Sequence, residues 1–408
     1  MSLRNNRLIN NFINLSVIQA ASLLLQILIY PYLNNVIGSV NYGLIIYQQI
    51  IVLFLQVFVI FGTDLTSISL VSKHKENKKR LSIVFSKIIY GRTILATLIS
   101  FFYIIYIIKN DISNIFLINV FFLYESALST KWFFHGIQKL RPYTLCFVIF
   151  RLLGVLSNFI LVVEINDWEL VVLINALISL LTSVVLLFNI KRKVNFVRVK
   201  IRNVIVFFLY SKELFFTNLM SQIKDRSGGI IIANVLGLEL LVYYDFCIKI
   251  VGVISSFLSS VSAACYPNFT ENFSMGSFDK ISRKLIIISS APFIFLFLFG
   301  REISQLIDYL ININIYPISS ILYVFGVMIF VRSHGYYLGL CYLMVHNKKK
   351  EYSKTLIYSS VIYIAMIFLY SKQDLKTLNL LGVVLTISLI FEYLHRYFYY
   401  YKCRFNNV

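Results

Sequence analysis

Apolar runs of twenty or more residues recur from one end of this chain to the other. A run of that length crosses a hydrocarbon core of ~30 Å as a single helix. Inside lipid the backbone must satisfy its own hydrogen bonds, which leaves helices or a closed barrel. So many runs cannot be hidden in one water-soluble core. With 59% of its 408 residues hydrophobic and 14% charged, the chain reads as an all-α polytopic membrane protein.

Twelve membrane spans are expected, at about 11–33, 42–70, 82–108, 115–134, 143–163, 170–190, 207–236, 240–266, 285–307, 318–345, 355–370 and 378–401. Pro31 is expected to close the first span and Pro292 to bend the ninth, because proline lacks the donor that continues a helix. The N-terminus shows no cleavable signal, so the first run is expected to be a retained span. The formal net charge of +20 comes largely from short loops at alternate span ends. One side carries Lys73–Arg80, Lys139, Arg141, the run Lys191–Arg202, Lys280–Lys284, Lys348–Lys354 and the tail; the other carries only Lys109, Lys372 and Lys376. That asymmetry places both termini in the cytoplasm and assigns the charge to cytoplasmic loops rather than to a nucleic-acid face.

The opposite loops are all short, which leaves no room for an external catalytic domain, so no catalytic residues are assigned and no enzyme is expected. There is no GxxxxGK[ST] phosphate loop and no HExxH, and no cofactor is implied. Cys146, Cys247, Cys265, Cys341 and Cys403 form no CxxC pair, which implies neither a disulfide framework nor a metal site.

Asn35-Val-Ile-Gly38 is echoed by Asn234-Val-Leu-Gly237, close to half a chain later. Six spans separate the copies, so both have the same orientation in the membrane. This pattern predicts parallel repeats about an axis along the membrane normal. The expected organisation is a six-helix lobe at 1–190, a basic cytoplasmic linker at 191–203 and a second six-helix lobe at 204–408.

Six bases sit well inside the spans: Arg92, Arg151, Lys224, Arg226, Lys249 and Arg332. Each is about eight or more residues from a span end, or ~12 Å, too far for easy snorkelling. Lys87, Lys131, Lys212, Arg301 and Arg396 lie nearer the ends and are expected to snorkel. Charge at membrane depth faces a wet cavity or a partner. In the seventh span Thr217, Asn218, Ser221, Gln222, Asp225, Arg226 and Gly229 fall on one helical stripe. Asp245 and Lys249 have the i,i+4 spacing of an ion pair. The span acids read from the sequence are Asp64, Glu125, Asp225 and Asp245. More bases than acids predicts a central cationic cavity that takes an anionic ligand. Gly335 and Gly339 form a GxxxG spacing, read as close helix packing. The tyrosine pairs 243–244 and 336–337 have the shape to stack on sugars, although a chain with 28 tyrosines supplies such pairs by chance.

The opening, with Pro31-Tyr32-Leu33, Ile37-Gly38 and Tyr42-Gly43, resembles the start of the O-antigen-unit flippases. These are polysaccharide transporters of the multidrug/oligosaccharidyl-lipid/polysaccharide exporter superfamily. Val235-Leu236-Gly237, Tyr243-Tyr244 and Lys249 are similar to the segment where that family's second lobe begins. The resemblance implies transfer of an undecaprenyl-pyrophosphate-linked oligosaccharide from the cytoplasmic to the periplasmic leaflet of a bacterial inner membrane, by alternating access between two lobes. It implies the six bases as substrate-binding residues, and Asp64, Glu125, Asp225 and Asp245 as candidates for ion coupling. The lipid bilayer, a polysaccharide polymerase and a chain-length regulator are the implied partners. A multidrug antiporter of the same superfamily is the nearest rival, although its cationic drugs favour an acidic cavity. The related peptidoglycan-precursor flippases usually have two more helices. A membrane enzyme acting on polyprenyl-linked sugars is disfavoured by the short outer loops.

Overall fold

The computed structural model describes residues 2–190, 193–271, 273–311, 319–371 and 377–405. Lys191, Arg192, Lys372 and Lys376, which entered the loop-charge comparison, lie outside them. The described residues contain helices and no strand. The helices are α1 (Ser2–Ile37), α2 (Ser39–Ile60), α3 (Thr63–His74), α4 (Lys78–Lys109), α5 (Val120–Leu128), α6 (Lys131–Gly136), α7 (Arg141–Leu161) and α8 (Trp168–Ile190). They continue as α9 (Ile201–Tyr210), α10 (Lys212–Val235), α11 (Leu238–Glu271), α12 (Met275–Ile311), α13 (Ser319–Tyr337), α14 (Lys349–Ser371) and α15 (Leu378–Phe405). A π-helical stretch, Leu338–Met344, extends α13.

Among the described residues ten helices are long and apolar enough to cross a membrane, or eleven when α9 and α10, bent by 58°, count as one. The span expected at 115–134 is there in pieces: a 3-10 turn at Asn114–Asn119, then α5 and α6, each too short to cross alone. Several expected ends move for local reasons. Pro31 lies inside α1, which runs on to Ile37. In α12 the helical dihedrals fail at Phe299 rather than at Pro292. A proline in a membrane helix frees one carbonyl, which neighbouring groups readily re-satisfy, so it need not end the helix.

The span expected at 42–70 is interrupted where Phe61 and Gly62 both adopt left-handed backbone. At φ +67, Gly62 passes so close to the bend before α10 that a Cβ would lie 2.4 Å from the Phe215 nitrogen. Thr66 Oγ1 and Ser211 Oγ meet there at 2.9 Å, and Phe61 stacks on Phe215 at 4.4 Å. The repeated glycines behave alike. Gly38 has φ +83 and Gly237 φ +105, each in the turn between two helices. Left-handed backbone is costly for any residue with a Cβ, which gives the echoed motif a physical reason to end in glycine.

Two compact units divide the chain at 222/223, inside α10. In the first, Phe85, Trp132, Phe133 and Phe134 form an aromatic core with Ile88 and Leu186. The chain before α9 is docked on α4. Asn195 N donates to Ser82 Oγ at 3.0 Å and Val197 N to Ser86 Oγ at 2.9 Å. Gly91 leaves the space that Phe208 and Val204 occupy. In the second unit Phe269, Phe278, Tyr337, Tyr342 and Tyr400 form the matching core. Elsewhere large apolar side chains face outward, as do Leu145, Ile149, Leu156 and Ile160 along α7. Such a surface suits lipid rather than water.

Candidate transport site

In the first unit the break at Gly62 starts α3 beside α4, and a partly buried ion pair forms at that start. Arg92, 1% exposed, donates through Nε and Nη2 to Thr63 Oγ1 at 2.9 and 2.7 Å. Its Nη2 also reaches Asp64 Oδ1 at 2.6 Å. The guanidinium lies over the Trp132 ring, 5.8 Å from its centre. Asp64 sits in the first turn of α3, where the helix dipole favours a carboxylate. Its side chain is 50% exposed, so the pair has one buried and one accessible member. Glu125 on α5 lies within electrostatic reach of Arg151 on α7 and of Asp64. The first unit thus brings Arg92, Asp64, Glu125 and Arg151 into one neighbourhood.

In the second unit, neighbouring residues of α10 aim at different helices. Asp225 accepts from Arg332 Nη2 on α13 at 2.8 Å, and both side chains are partly exposed. Lys224, buried, donates to Ser359 Oγ on α14 at 3.1 Å and pairs with Glu392 on α15. Arg226 is partly exposed beside them. On α11, Asp245 and Lys249 make the ion pair their spacing predicted. The carboxylates supply the counter-charge without which these bases would not be stable at depth. Arg92, Lys224, Lys249 and Arg332 therefore each contact an acid of their own unit.

Glu392 was absent from the acids read from the sequence, and Arg396 was expected to snorkel. The structure corrects both. Arg396 is buried and bonds Glu392 Oε1 at 2.6 Å one turn away. Its other donors reach the Gly335 carbonyl at 3.1 Å and Thr355 Oγ1 at 3.3 Å. The guanidinium also lies over Tyr352, 4.9 Å from the ring centre. The i,i+4 spacing that predicts Asp245–Lys249 is present here too, inside a stretch rich in aromatic residues. Of the two spaced glycines Gly339 serves close packing: a Cβ there would lie 2.7 Å from Tyr352 and 3.3 Å from Arg396 Nε, whereas one at Gly335 would meet nothing nearer than 3.5 Å. Of the tyrosines offered for sugar stacking, Tyr243, Tyr244 and Tyr337 are buried and pack in the core of the second unit instead. Among the described residues no cluster of three or more potential metal ligands exists.

A sequence model of the family described as polysaccharide biosynthesis protein matches residues 8–273, well over half the chain. The chain belongs to that family. A relative from Escherichia coli (strain K12), named "Putative O-antigen transporter", is 22% identical over 373 residues, 88% of each chain. One of the same name from Shigella dysenteriae is 24% identical over 160 residues, 38% of this chain and 40% of that one.

Solved structures of multidrug-resistance MATE transporters of the MOP superfamily share the fold of this family member. The TM-score is 0.63 to an outward-facing one at 12% identity, covering 96% of this chain and 94% of the other. It is also 0.63 to an inward-facing one at 13% identity, covering 97% and 98%. A MOP transporter from Pyrococcus furiosus, titled for the reverse polarity of its binding pocket, gives 0.59 at 12% identity, covering 96% and 94%. This family member is thus a multi-span membrane protein that shares its fold with MOP transporters, and both relatives carry the name "Putative O-antigen transporter".

Proposed function

We propose that the protein flips an undecaprenyl-pyrophosphate-linked oligosaccharide from the cytoplasmic to the periplasmic leaflet of a bacterial inner membrane. In this reading the lobes 1–190 and 204–408, joined by 191–203, alternate access, and both termini are cytoplasmic. The observation that supports the reading is a set of span-embedded bases paired with carboxylates, which for Arg92, Lys224 and Arg332 come from a different helix. Asp225–Arg332, partly exposed on both sides, is the clearest example. A diphosphate makes stronger charge-assisted bonds to Arg and Lys than a single carboxylate does, so it can take the place of Asp225 at Arg332. Arg92, Arg151, Lys224, Arg226, Lys249 and Arg332 are the proposed substrate-binding residues. Asp64, Glu125, Asp225 and Asp245 are the carboxylates available to an ion gradient. A polymerase and a chain-length regulator are the proposed downstream partners.

Deleting the gene and analysing the lipids tests this. The reading predicts loss of surface polysaccharide with lipid-linked units accumulating on the cytoplasmic leaflet. Units stranded unpolymerised on the outer side would point to a polymerase and overturn it.

A further inference from the structure

Each oxygen of the Glu392 carboxylate holds a different base. Oε1 binds Arg396 at 2.6 Å, and Oε2 takes Lys224 together with Ser359 Oγ at 3.1 Å. Lys224, Arg396 and Glu392 are 3%, 5% and 8% exposed. One carboxylate therefore pairs with two bases in the interior of the second unit, and the cluster keeps an excess of positive charge.

The two bases are held differently. Arg396 shares a helix with Glu392 and is fixed further by the Gly335 carbonyl, Thr355 and the Tyr352 face. It stays in place whatever Glu392 does. Lys224 comes from another helix, α10, and its ammonium is held by Ser359 and Glu392. Should α10 shift, Lys224 is the member that leaves. An ammonium leaving a carboxylate inside a membrane needs another anion at once, and an oxyanion of phosphate type offers the same charge-assisted bond.

We propose that Glu392 is a positioning residue, the internal counter-ion that stands in for the substrate's phosphate at Lys224 whenever the transporter is empty. Substrate phosphate displaces Glu392 from Lys224 on loading, and Glu392 recaptures Lys224 on release. The buried lysine is then neutralised at every stage, which lets the empty protein return. This rests on the flippase reading above and adds to it the group that competes with the substrate.

An internal competitor scales apparent affinity down to the fraction of time it leaves the site free. The test uses purified full-length protein, inorganic pyrophosphate as the probe and calorimetry as the readout. Glu392→Gln is expected to bind pyrophosphate roughly tenfold or more tightly than the unsubstituted protein. The double variant Glu392→Gln with Lys224→Gln is expected to lose that gain. In a reconstituted flipping assay Glu392→Gln is expected to lower KM and kcat together, because the loaded state is favoured and the empty return is slowed. A purely structural role would lower kcat without tightening binding.

No gain in affinity by folded Glu392→Gln, or a gain that survives removal of Lys224, overturns the proposal. Should Glu392→Gln not fold, Glu392→Asp keeps the charge but withdraws it by one methylene. A severalfold gain then supports the proposal, and no gain overturns it. The two readings fail separately. An unsubstituted protein that does not flip lipid-linked oligosaccharide removes the function, whereas one that flips normally while Glu392→Gln shows no gain removes only the counter-ion.

Discussion

At the scale of single residues, Asp64 and Arg92 make an unequal pair: the guanidinium is buried and the carboxylate is half in solvent. Removing the exposed partner strands a buried charge, whereas removing the buried one leaves a carboxylate that rehydrates. Asp64→Asn is therefore expected to cost about 3 kcal/mol or more, and Arg92→Met distinctly less. Chemical unfolding in detergent measures both, and the opposite order would contradict the account. For Asp225–Arg332, each single substitution, Asp225→Arg or Arg332→Asp, is expected to reduce transport, and the exchanged pair to recover part of it. A double-mutant cycle with coupling of about 1 kcal/mol or more is the expected signature. The six bases were legible from depth alone, and Asp245–Lys249 from helical spacing. Partners brought together by tertiary packing were not. Asp225 and Arg332 are 107 positions apart, and no local rule joins Lys224 to Glu392. Glu392 gives little signal in the sequence because its neighbours are aromatic and Arg396 lies close enough to a span end to suggest snorkelling.

At the scale of elements, the glycines separate strain from collision. Gly237 has φ +105 and nothing near its missing Cβ, whereas Gly62 has φ +67 and backbone atoms pressed against that position. Gly237→Ala is expected to cost about 1–2 kcal/mol from backbone strain alone. Gly62→Ala carries that strain plus a clash with the segment around Phe215. The yield of monodisperse protein from detergent extracts checks this: near-normal for Gly237→Ala and severely reduced for Gly62→Ala. Equal yields would mean that the approach of α3 to α10 is not needed for folding. The turns at Gly38 and Gly237 could be read from the repeated motif. The breaks at Phe61–Gly62 and before α10 could not, because they interrupt continuous apolar stretches and are set by what packs against them. Pro31 misled in the opposite sense, since α1 continues past it to Ile37.

At the scale of the whole molecule, the apolar runs were sufficient to establish a polytopic helical protein, because lipid permits so few other solutions. Sidedness follows from loop charge, which predicts both termini in the cytoplasm. Reporter fusions to each end check it: a fluorescent protein that folds only in the cytoplasm is expected to be bright at both, and alkaline phosphatase inactive at both. Active phosphatase at either end would reverse the orientation. Substrate is the finest level of the account, and it depends on a diphosphate meeting embedded bases. The most direct measurement is flipping by the purified protein in liposomes that carry undecaprenyl-pyrophosphate-linked oligosaccharide in one leaflet. The account predicts that the protein makes this lipid accessible at the opposite leaflet, and that Arg332→Ala slows the transfer at least tenfold. Protein-containing liposomes that move the lipid no faster than empty ones would contradict it.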